Sequence, residues 1–345
     1  MSTLLRSYNV SNGYNYSMQR VSVIIPIYKV EAFIGRCAES LMCQTLKDGV
    51  EFIFVDDATP DNSMRVLHEV LARYPERKSQ VKLLKHEINQ GLPAARNTGL
   101  AVARGEYIFH CDSDDYVEAD MLETLYDTAV QQCADMVWCD WYLTFADSER
   151  YMKQPRYATA EEALKAMLAG GMKYNVWNKL VRRSLYTDNH IAFPAGYGMG
   201  EDMTMMRLVA CARQVAYVPQ AFYHYVKTNA GSFCQTYSER HLKELQHNVS
   251  ETAQFILGHC GKEWEREVAF LKLEAKFPFL ISDGKHGEYR RWKEWYPEAN
   301  VYIMYNKAIS LRSRVIQLLA AHGQFWTVRL YHLLINKLVY GIIYK

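Results

Sequence analysis

Residues 107–115 read Tyr-Ile-Phe-His-Cys-Asp-Ser-Asp-Asp, an apolar run that passes directly into three carboxylates. A short apolar run that ends in a polar cluster is typical of a buried strand leading to a polar site. The three carboxylates repel one another unless they are solvated, protonated or gathered around a cation. Oxygen ligands favour a hard divalent ion such as Mg²⁺ or Mn²⁺. The alternative is a solvated acidic turn that caps the next helix, with Asp115 or Asp120 as the cap.

A second acidic pair, Asp56-Asp57, follows an earlier apolar run in the same way. Strand and helix patterns alternate through this half of the chain, which predicts βαβ units and a mainly parallel sheet. Ligands of such sheets bind beyond the carboxyl ends of the strands, so we expect both acidic clusters to lie at one site. The predicted strands are Val21–Ile25, ended by Pro26, then Phe52–Val55, Val81–Leu84, Tyr107–Cys111 and Met136–Thr144. The predicted helices are Val30–Leu46, Asp61–Tyr74, Leu92–Arg104 and Glu118–Gln132.

The alternation weakens after Pro155. The periodicity predicts helices over Glu161–Ala169 and Glu201–Cys211, short strands over Val215–Val218 and Phe222–Val226, and a helical region from Ser238 onward. Acidic residues also suit a helix N-terminus, so capping is an alternative role for the Glu201-Asp202 pair.

Composition excludes some classes of protein. The 345 residues carry a formal net charge of +2, which gives no global reason to expect a nucleic-acid partner. The eight cysteines show no CxxC spacing, which favours free thiols in a reducing compartment such as the cytoplasm. Residues 1–20 are polar and resemble no signal peptide, so we expect a disordered leader.

The last segment, Ile309–Lys345, is basic and amphipathic. It contains no acidic residue and combines apolar stripes with arginine and lysine. A basic helix rich in Trp, Leu and Tyr can lie in a membrane interface. The alternative is a pair of helices packed on the protein's own core with a solvated basic face.

Four motifs in a fixed order make the chain recognisable. They are Val-Ser-Val-Ile-Ile-Pro-Ile-Tyr at 21–28, Val-Asp-Asp-Ala-Thr-Pro-Asp-Asn-Ser at 55–63, Asn-Gln-Gly-Leu-Pro-Ala-Ala-Arg-Asn-Thr-Gly-Leu at 89–100, and Gly105–Asp115. In this order and spacing they closely resemble the family 2 glycosyltransferases, including bacterial capsule, O-antigen and exopolysaccharide transferases. The resemblance covers about residues 21–225. It implies an α/β GT-A fold, a Rossmann-like mainly parallel sheet flanked by helices, with a helical C-terminal extension.

The resemblance implies a nucleotide site to which all four motifs contribute. Tyr28 stacks on the base, unless it simply fills the core, and Asp57 accepts a hydrogen bond from a uracil ring. Asp112 lies by the ribose. Arg96 borders the diphosphate, with a helix-surface salt bridge as the alternative. The implied nucleotide-binding residues are Pro26, Tyr28, Asp57, Asn89, Gly91, Arg96, Asp112 and Ser113.

The resemblance also implies a metal site, a catalytic base and acceptor contacts. Asp114 binds the Mn²⁺ or Mg²⁺ that bridges the diphosphate. His224 is a second metal ligand, or else a packed core histidine. Asp202 matches the position at which inverting members keep the catalytic base. Glu201 orients that base or holds the acceptor, and Trp177 forms an acceptor platform unless it is buried.

These features predict a metal-dependent inverting glycosyltransferase. The expected donor is a nucleotide-sugar, first of all a UDP-sugar. The expected acceptor is a glycan or lipid-linked oligosaccharide at the inner face of the bacterial cytoplasmic membrane, for surface polysaccharide synthesis. A non-catalytic nucleotide-sugar-binding GT-A module is the alternative. A Rossmann dehydrogenase is excluded because no GxGxxG follows Val21–Ile25. The predicted GT-A domain spans residues 21–235, and the predicted helical region spans 236–345.

Overall fold

The computed structural model describes residues 19–229, 238–281 and 286–335. All strands within these ranges belong to one sheet. They are β1 Val21–Ile27, β2 Val50–Asp56, β3 Val81–Lys85, β4 Tyr107–His110, β5 Tyr116–Val117, β6 Met136–Thr144, β7 Glu149–Met152, β8 Lys179–Arg182 and β9 Val215–Val226.

The sheet is parallel on one side and mixed on the other. Its order is β3-β2-β1-β4-β8-β6-β9-β5, with β7 paired to β6. In the parallel part, Val21 of β1 lies opposite both Val50 and Tyr107. The carboxyl ends of β1, β2 and β4 therefore meet at one edge, and the acidic clusters follow two of these ends.

The helices cover both faces of the sheet and continue into the C-terminal region. Short 3-10 turns occur at Pro75–Gln80, Glu201–Met203, Lys262–Trp264 and Pro297–Tyr305. The α-helices are α1 Ile34–Met42, α2 Ser63–Leu71, α3 Leu92–Val102, α4 Met121–Gln131, α5 Ala160–Leu168, α6 Arg183–Asp188, α7 Thr204–Cys211, α8 Glu239–Cys260, α9 Glu265–Lys276, α10 Pro278–Ile281, α11 His286–Glu294, α12 Leu311–Ala321 and α13 Phe325–Ile335.

Alternation along β1 divides the core into two layers. Val23 and Ile25 pack with residues of α1, α2 and α4 on one face. Ile24 packs on the other face, in a cluster that also contains residues of α3, α5, α7, α8 and α9. Helix α3 approaches β1 closely at Gly99, where a Cβ atom added to the backbone would lie 2.4 Å from Cγ2 of Ile24. The absence of a side chain at Gly99 therefore sets the distance between α3, which holds part of the site, and the sheet.

Two predicted strand boundaries are wrong, and both involve proline. β1 continues through Pro26, which pairs with Val55 of β2. On the other side of β1 the pairing with β4 ends at Ile24, so no hydrogen bond on that side requires the N–H group that proline lacks. The two strands predicted after residue 214 form the single strand β9. Its register against β6 jumps from Val218 to Ala221, so Pro219 lies in an irregularity rather than at a strand end.

Two further predictions concern the ends of the chain. The predicted leader falls largely on residues 1–18, which lie outside the described residues. Of the predicted basic segment, α12 and α13 are described, and residues 336–345 lie outside. Among the described helices, none has both the length and the apolar character needed to cross a membrane.

Two glycine substitutions test the packing of α3. Gly99→Ala should lower the free energy of unfolding by about 1–3 kcal/mol, because the added methyl group must displace Ile24 or the helix. Gly258→Ala is the matched control, since nothing lies within 4 Å of a Cβ atom on this residue of α8. It should raise the free energy of unfolding by about 0.5–1 kcal/mol. Urea unfolding measures both, and equal effects would contradict the packing argument.

Candidate active site

The turn after β4 holds three carboxylates in different surroundings. Asp115 is buried, and its carboxylate accepts hydrogen bonds from the Tyr223 hydroxyl at 2.8 Å and the Val226 backbone N–H at 2.7 Å. The Tyr223 hydroxyl in turn accepts from the backbone N–H of Asp112 at 3.0 Å. Burial and the adjacent carboxylates raise the pKa of Asp115 well above its usual range. Strand β9 therefore fixes the shape of the acidic turn.

Arg96 joins this turn to a distant part of the chain. Arg96 is 1% exposed, and its Nη2 atom lies 2.9 Å from the Asp112 carboxylate and 3.2 Å from that of Glu201. Arg96 is on α3, Asp112 follows β4, and Glu201 begins the 3-10 turn before α7. One buried cation thus serves two carboxylates. The surface salt bridge considered for Arg96 is wrong, because the side chain lies inside the protein.

Glu201 and Asp202 are the acidic residues of that 3-10 turn. Burial raises the pKa of Glu201 to about 8, although Arg96 opposes the shift. Removal from water also raises the pKa of Asp202, and the charges of Arg96, Asp112 and Lys179 act on it as well. Within the described ranges Asp202 forms no salt bridge, so its carboxylate is not committed to a cation. Because the charges of Arg96 and Asp112 act on Asp202, this residue lies near the acidic turn, and its role as the base stays a prediction.

Asp114 has surroundings that suit a metal ligand. Its carboxylate accepts a hydrogen bond from the Asn229 amide at 2.8 Å, and in the part of the chain that the structure describes no lysine, arginine or histidine forms an ion pair with it. Burial and the charge of Asp112 raise the pKa of Asp114, so a nearby cation would stabilise its ionised form. No cluster of three or more potential metal-ligating side chains occurs among the described residues. An ion such as Mg²⁺ can be bound through one or two carboxylates together with substrate phosphates.

The loop after β3 is held by Asp57. The buried Asp57 carboxylate accepts from the backbone N–H groups of Gln90 and Gly91, both at 2.8 Å, and contacts Nδ1 of His86 at 2.7 Å. Gly91 has a φ of +88°, a conformation that glycine adopts readily, and it precedes α3 directly. Asp57 therefore shapes the loop that leads to Arg96. A carboxylate has room for about four hydrogen bonds, and Asp57 makes three such contacts within the protein.

Comparison with known sequences identifies the family. The family-wide profile described as glycosyl transferase family 2 matches residues 22–203. The chain belongs to glycosyl transferase family 2. This glycosyltransferase is 33% identical over 275 residues to EpsH of Bacillus subtilis (strain 168), a match that covers 75% of this chain and 76% of EpsH.

Solved structures share the fold of this glycosyltransferase. S. aureus TarS 1-349 in complex with UDP-GlcNAc aligns with a TM-score of 0.66 at 20% identity, over 91% of each chain. The mannosyltransferase PcManGT from Pyrobaculum calidifontis, in complex with GDP-Man and Mn²⁺, aligns with a TM-score of 0.51 at 16% identity, over 95% of this chain and 86% of PcManGT. Both likenesses confirm the predicted α/β GT-A architecture with a helical C-terminal region.

The glycosyltransferase places its other predicted nucleotide-binding residues at the same edge of the sheet. Pro26 is the penultimate residue of β1, and Tyr28 follows with 40% of its surface exposed, so the core-filling alternative for Tyr28 is wrong. The Asn89 amide donates to the Asp57 carbonyl at 3.3 Å. Ser113 is buried within the acidic turn. Their roles in binding stay predictions.

Two predicted residues are placed differently from the rest. His224 stacks between Tyr116 and Tyr142, and its ring nitrogens each lie 2.8 Å from a carboxylate, Glu118 on one side and Glu149 on the other. No ring nitrogen is left for a metal in this arrangement. Trp177 is 8% exposed and stacks on Tyr223 at 4.5 Å, which matches the buried alternative better than an acceptor platform.

Sequence reasoning missed three contributors to the site. These are His86, which contacts Asp57, Asn229, which donates to Asp114, and Tyr223, which connects Asp112 with Asp115. Only Tyr223 had a usable signal, because it neighbours His224 in a predicted strand and so points to the opposite face. His86 and Asn229 follow strands without any distinctive motif.

Glu201 gives the glycosyltransferase a specific dependence of stability on pH. The unfolded chain releases the Glu201 proton near pH 4.5, whereas the folded chain keeps it to about pH 8. The folded state binds more protons between these values, so the free energy of unfolding should fall as pH rises through this window. Glu201→Gln should flatten that slope in urea unfolding with EDTA present. The exposed Glu161→Gln should retain the wild-type slope, and an unchanged slope in Glu201→Gln would refute the assignment.

Proposed function

We propose that this glycosyltransferase is a metal-dependent, inverting enzyme that moves a sugar from a UDP-sugar to a hydroxyl of a glycan acceptor. We further propose that the acceptor is lipid-linked and serves bacterial surface polysaccharide synthesis at the inner face of the cytoplasmic membrane. The observation that supports the chemistry best is the contrast within the acidic turn. Asp112 is paired with a guanidinium and Asp115 has two buried donors, whereas the Asp114 carboxylate accepts from the neutral Asn229 amide.

The choice of donor rests on the edge of the sheet and on fold likeness. Tyr28 offers an exposed aromatic ring on which a base can stack, and the Asp57 carboxylate accepts hydrogen bonds from the backbone of the loop at residues 89–91. TarS, which has a similar fold, is known in complex with UDP-GlcNAc. A uridine nucleotide is therefore the first donor class to test.

Asp114 would hold a divalent cation together with the donor's diphosphate. Such a cation supplies positive charge that offsets the charge developing on the leaving group. Asp202 accepts the proton of the acceptor hydroxyl as that oxygen attacks the anomeric carbon. The bond from this carbon to the diphosphate oxygen breaks, the nucleoside diphosphate leaves, and the single attack inverts the configuration. Arg96 keeps Asp112 and Glu201 in place beside the reacting groups. An acceptor contact by Glu201 or Trp177 stays a prediction.

Membrane contact is proposed from the surface of the C-terminal helices. Exposed apolar side chains lie on α12 and α13, with Trp326 70% exposed. The Arg312 guanidinium lies 5.4 Å from the Tyr331 ring, which places basic and aromatic groups of the two helices together. The sequence has no acidic residue after Glu298, so this surface complements anionic lipids. The exposed apolar residues are Leu311, Val315, Trp326 and Leu330.

Asp202→Asn tests the proposed base. Its rate of sugar transfer should fall about 10²- to 10⁴-fold, because an amide cannot accept the proton, while UDP binding measured by calorimetry should persist. Asp188→Asn, an exposed residue at the end of α6, should transfer at the wild-type rate. Retained transfer in Asp202→Asn would rule it out as the base.

A donor panel tests metal dependence and the non-catalytic alternative. UDP-, GDP-, dTDP- and CMP-sugars would be incubated with Mn²⁺ or EDTA, and released nucleotide counted. We expect release from a UDP-sugar that EDTA abolishes and that Asp114→Asn reduces strongly. Nucleotide binding by calorimetry without release or transfer to any glycan acceptor would favour the non-catalytic module instead.

Vesicle binding tests the membrane surface. Trp326→Ala should weaken binding to anionic phosphatidylglycerol vesicles at low salt about 10- to 100-fold, since burial of a large apolar side chain contributes about 1.5–3 kcal/mol. Val130→Ala changes an exposed apolar residue of α4 and should bind like the wild type. Absence of vesicle binding by the wild-type protein at low salt would contradict the proposal.

A further inference from the structure

The segment immediately before the acidic 3-10 turn, Tyr197–Gly200, has backbone groups that bond to a helix from outside the matched family region. The Asn248 side-chain amide donates to the carbonyl oxygens of Tyr197 and Met199, both at 2.9 Å. Oε2 of Glu244 accepts from the Met199 N–H at 3.1 Å. Both side chains belong to α8, which begins at Glu239, whereas the family match ends at residue 203.

These contacts are buried and closely spaced. Glu244 is 4% exposed and Asn248 is 3% exposed, and they lie one helical turn apart on the same face of α8. Loss of either partner would leave a buried polar group unsatisfied, which costs more than the bond itself contributes. We call this set of contacts the α8 clamp.

Two further contacts limit movement of the same segment. Gly200 has a φ of +84°, and a Cβ atom there would lie 3.1 Å from Leu245 of α8. The Tyr197 ring stacks on His247 of the same helix, with ring centroids 3.7 Å apart. Three of the four residues, Tyr197, Met199 and Gly200, are thus held against α8 by backbone bonds, ring stacking and close packing.

The clamped segment leads without a break into Glu201 and Asp202. The Glu201 N–H donates to the Gly198 carbonyl at 3.2 Å, and the Met203 N–H donates to the Gly200 carbonyl at 3.1 Å. Any shift of the segment along α8 therefore moves both carboxylates relative to Arg96. Misplacement of a reacting group by about 1 Å can cost about 10²-fold in rate.

We propose that Glu244 and Asn248 are positioning residues for sugar transfer, holding Tyr197–Gly200 so that Glu201 and Asp202 stay beside the donor site. The proposal rests on the function proposed above, because it assumes that Asp202 acts on the acceptor. It extends the working site to the helical C-terminal region, to which neither the sequence motifs nor the family match assigns a role.

Asn248→Asp tests the clamp in the full chain. The new carboxylate has nearly the same shape but cannot donate to the two carbonyl groups. We expect the rate constant kcat for transfer to fall about 10- to 100-fold, with UDP affinity unchanged. Amide hydrogen exchange at Glu201–Met203 should become faster. Glu244→Ala should act in the same direction, whereas Glu244→Gln keeps an acceptor for Met199 and should restore most of kcat.

Ile256→Ala is the matched control for general damage to α8. Ile256 is fully buried on this helix, so the variant should lower the unfolding midpoint without changing kcat or exchange at Glu201–Met203. If Asn248→Asp fails to fold, Glu244→Ala against Glu244→Gln gives the same comparison.

The two readouts separate the possible failures. Unchanged exchange at Glu201–Met203 in both Asn248→Asp and Glu244→Ala would overturn the clamp, and so would a kcat loss no larger than that of Ile256→Ala. Exchange needs no substrate, so it reports on the clamp even if no donor is used. Absence of transfer by the wild-type protein would refute the proposed function, and with it the positioning role, whatever the exchange shows.

Discussion

The arrangement of the site depends on one buried guanidinium. Arg96 lies between Asp112 and Glu201, which reach it from a strand end and from a 3-10 turn far along the chain. Loss of one partner of a buried ion pair typically costs about 3–5 kcal/mol, because the remaining charge stays out of water. Here the buried Glu201 and Asp112, whose side chain is 23% exposed, would lose the same partner. Gly99 sets the distance between α3 and the sheet, and α3 carries Arg96. The packing at Gly99 therefore determines where the charge of Arg96 lies at the edge of the sheet.

The acidic turn and the proposed base have separate supports. Strand β9 holds the turn through Tyr223 and Val226, whereas α8 holds the segment before Asp202. Arg96 is the connection between the two assemblies. Since each support is built from buried hydrogen bonds, the carboxylates keep fixed positions although they repel one another. Such preorganisation is what electrostatic stabilisation of a transition state requires.

Local pattern was enough to predict the parallel half of the sheet. β1 to β4, and β6 beyond them, are apolar runs bounded by turns, and the motifs at 55–63 and 105–115 place their carboxylates at one edge. β5, β7 and β8 went unpredicted because each has four residues or fewer. β5 and β8 depend on pairing with strands distant in sequence, whereas β7 forms a hairpin with β6. No local pattern indicated that His224 pairs with Glu118 and Glu149, or that the Trp177 ring stacks on that of Tyr223. Contacts of this kind depend on side chains far apart in sequence.

The packing of α8 restricts how such chains can be recombined. Val249, Ala253 and Ile256 of α8 belong to the same apolar cluster as Ile24 of the central strand. Glu244 and Asn248, on the same helix, bind backbone rather than side chains in the segment before the acidic turn. Apart from Gly200 and the stacked ring of Tyr197, the segment's own sequence can therefore vary while its path is preserved. A hybrid that joins the first 235 residues to the C-terminal helices of a relative would keep the carboxylates. It would lose the contacts by which α8 holds the segment before Glu201 and Asp202, unless the foreign helix presents an acceptor and an amide one turn apart.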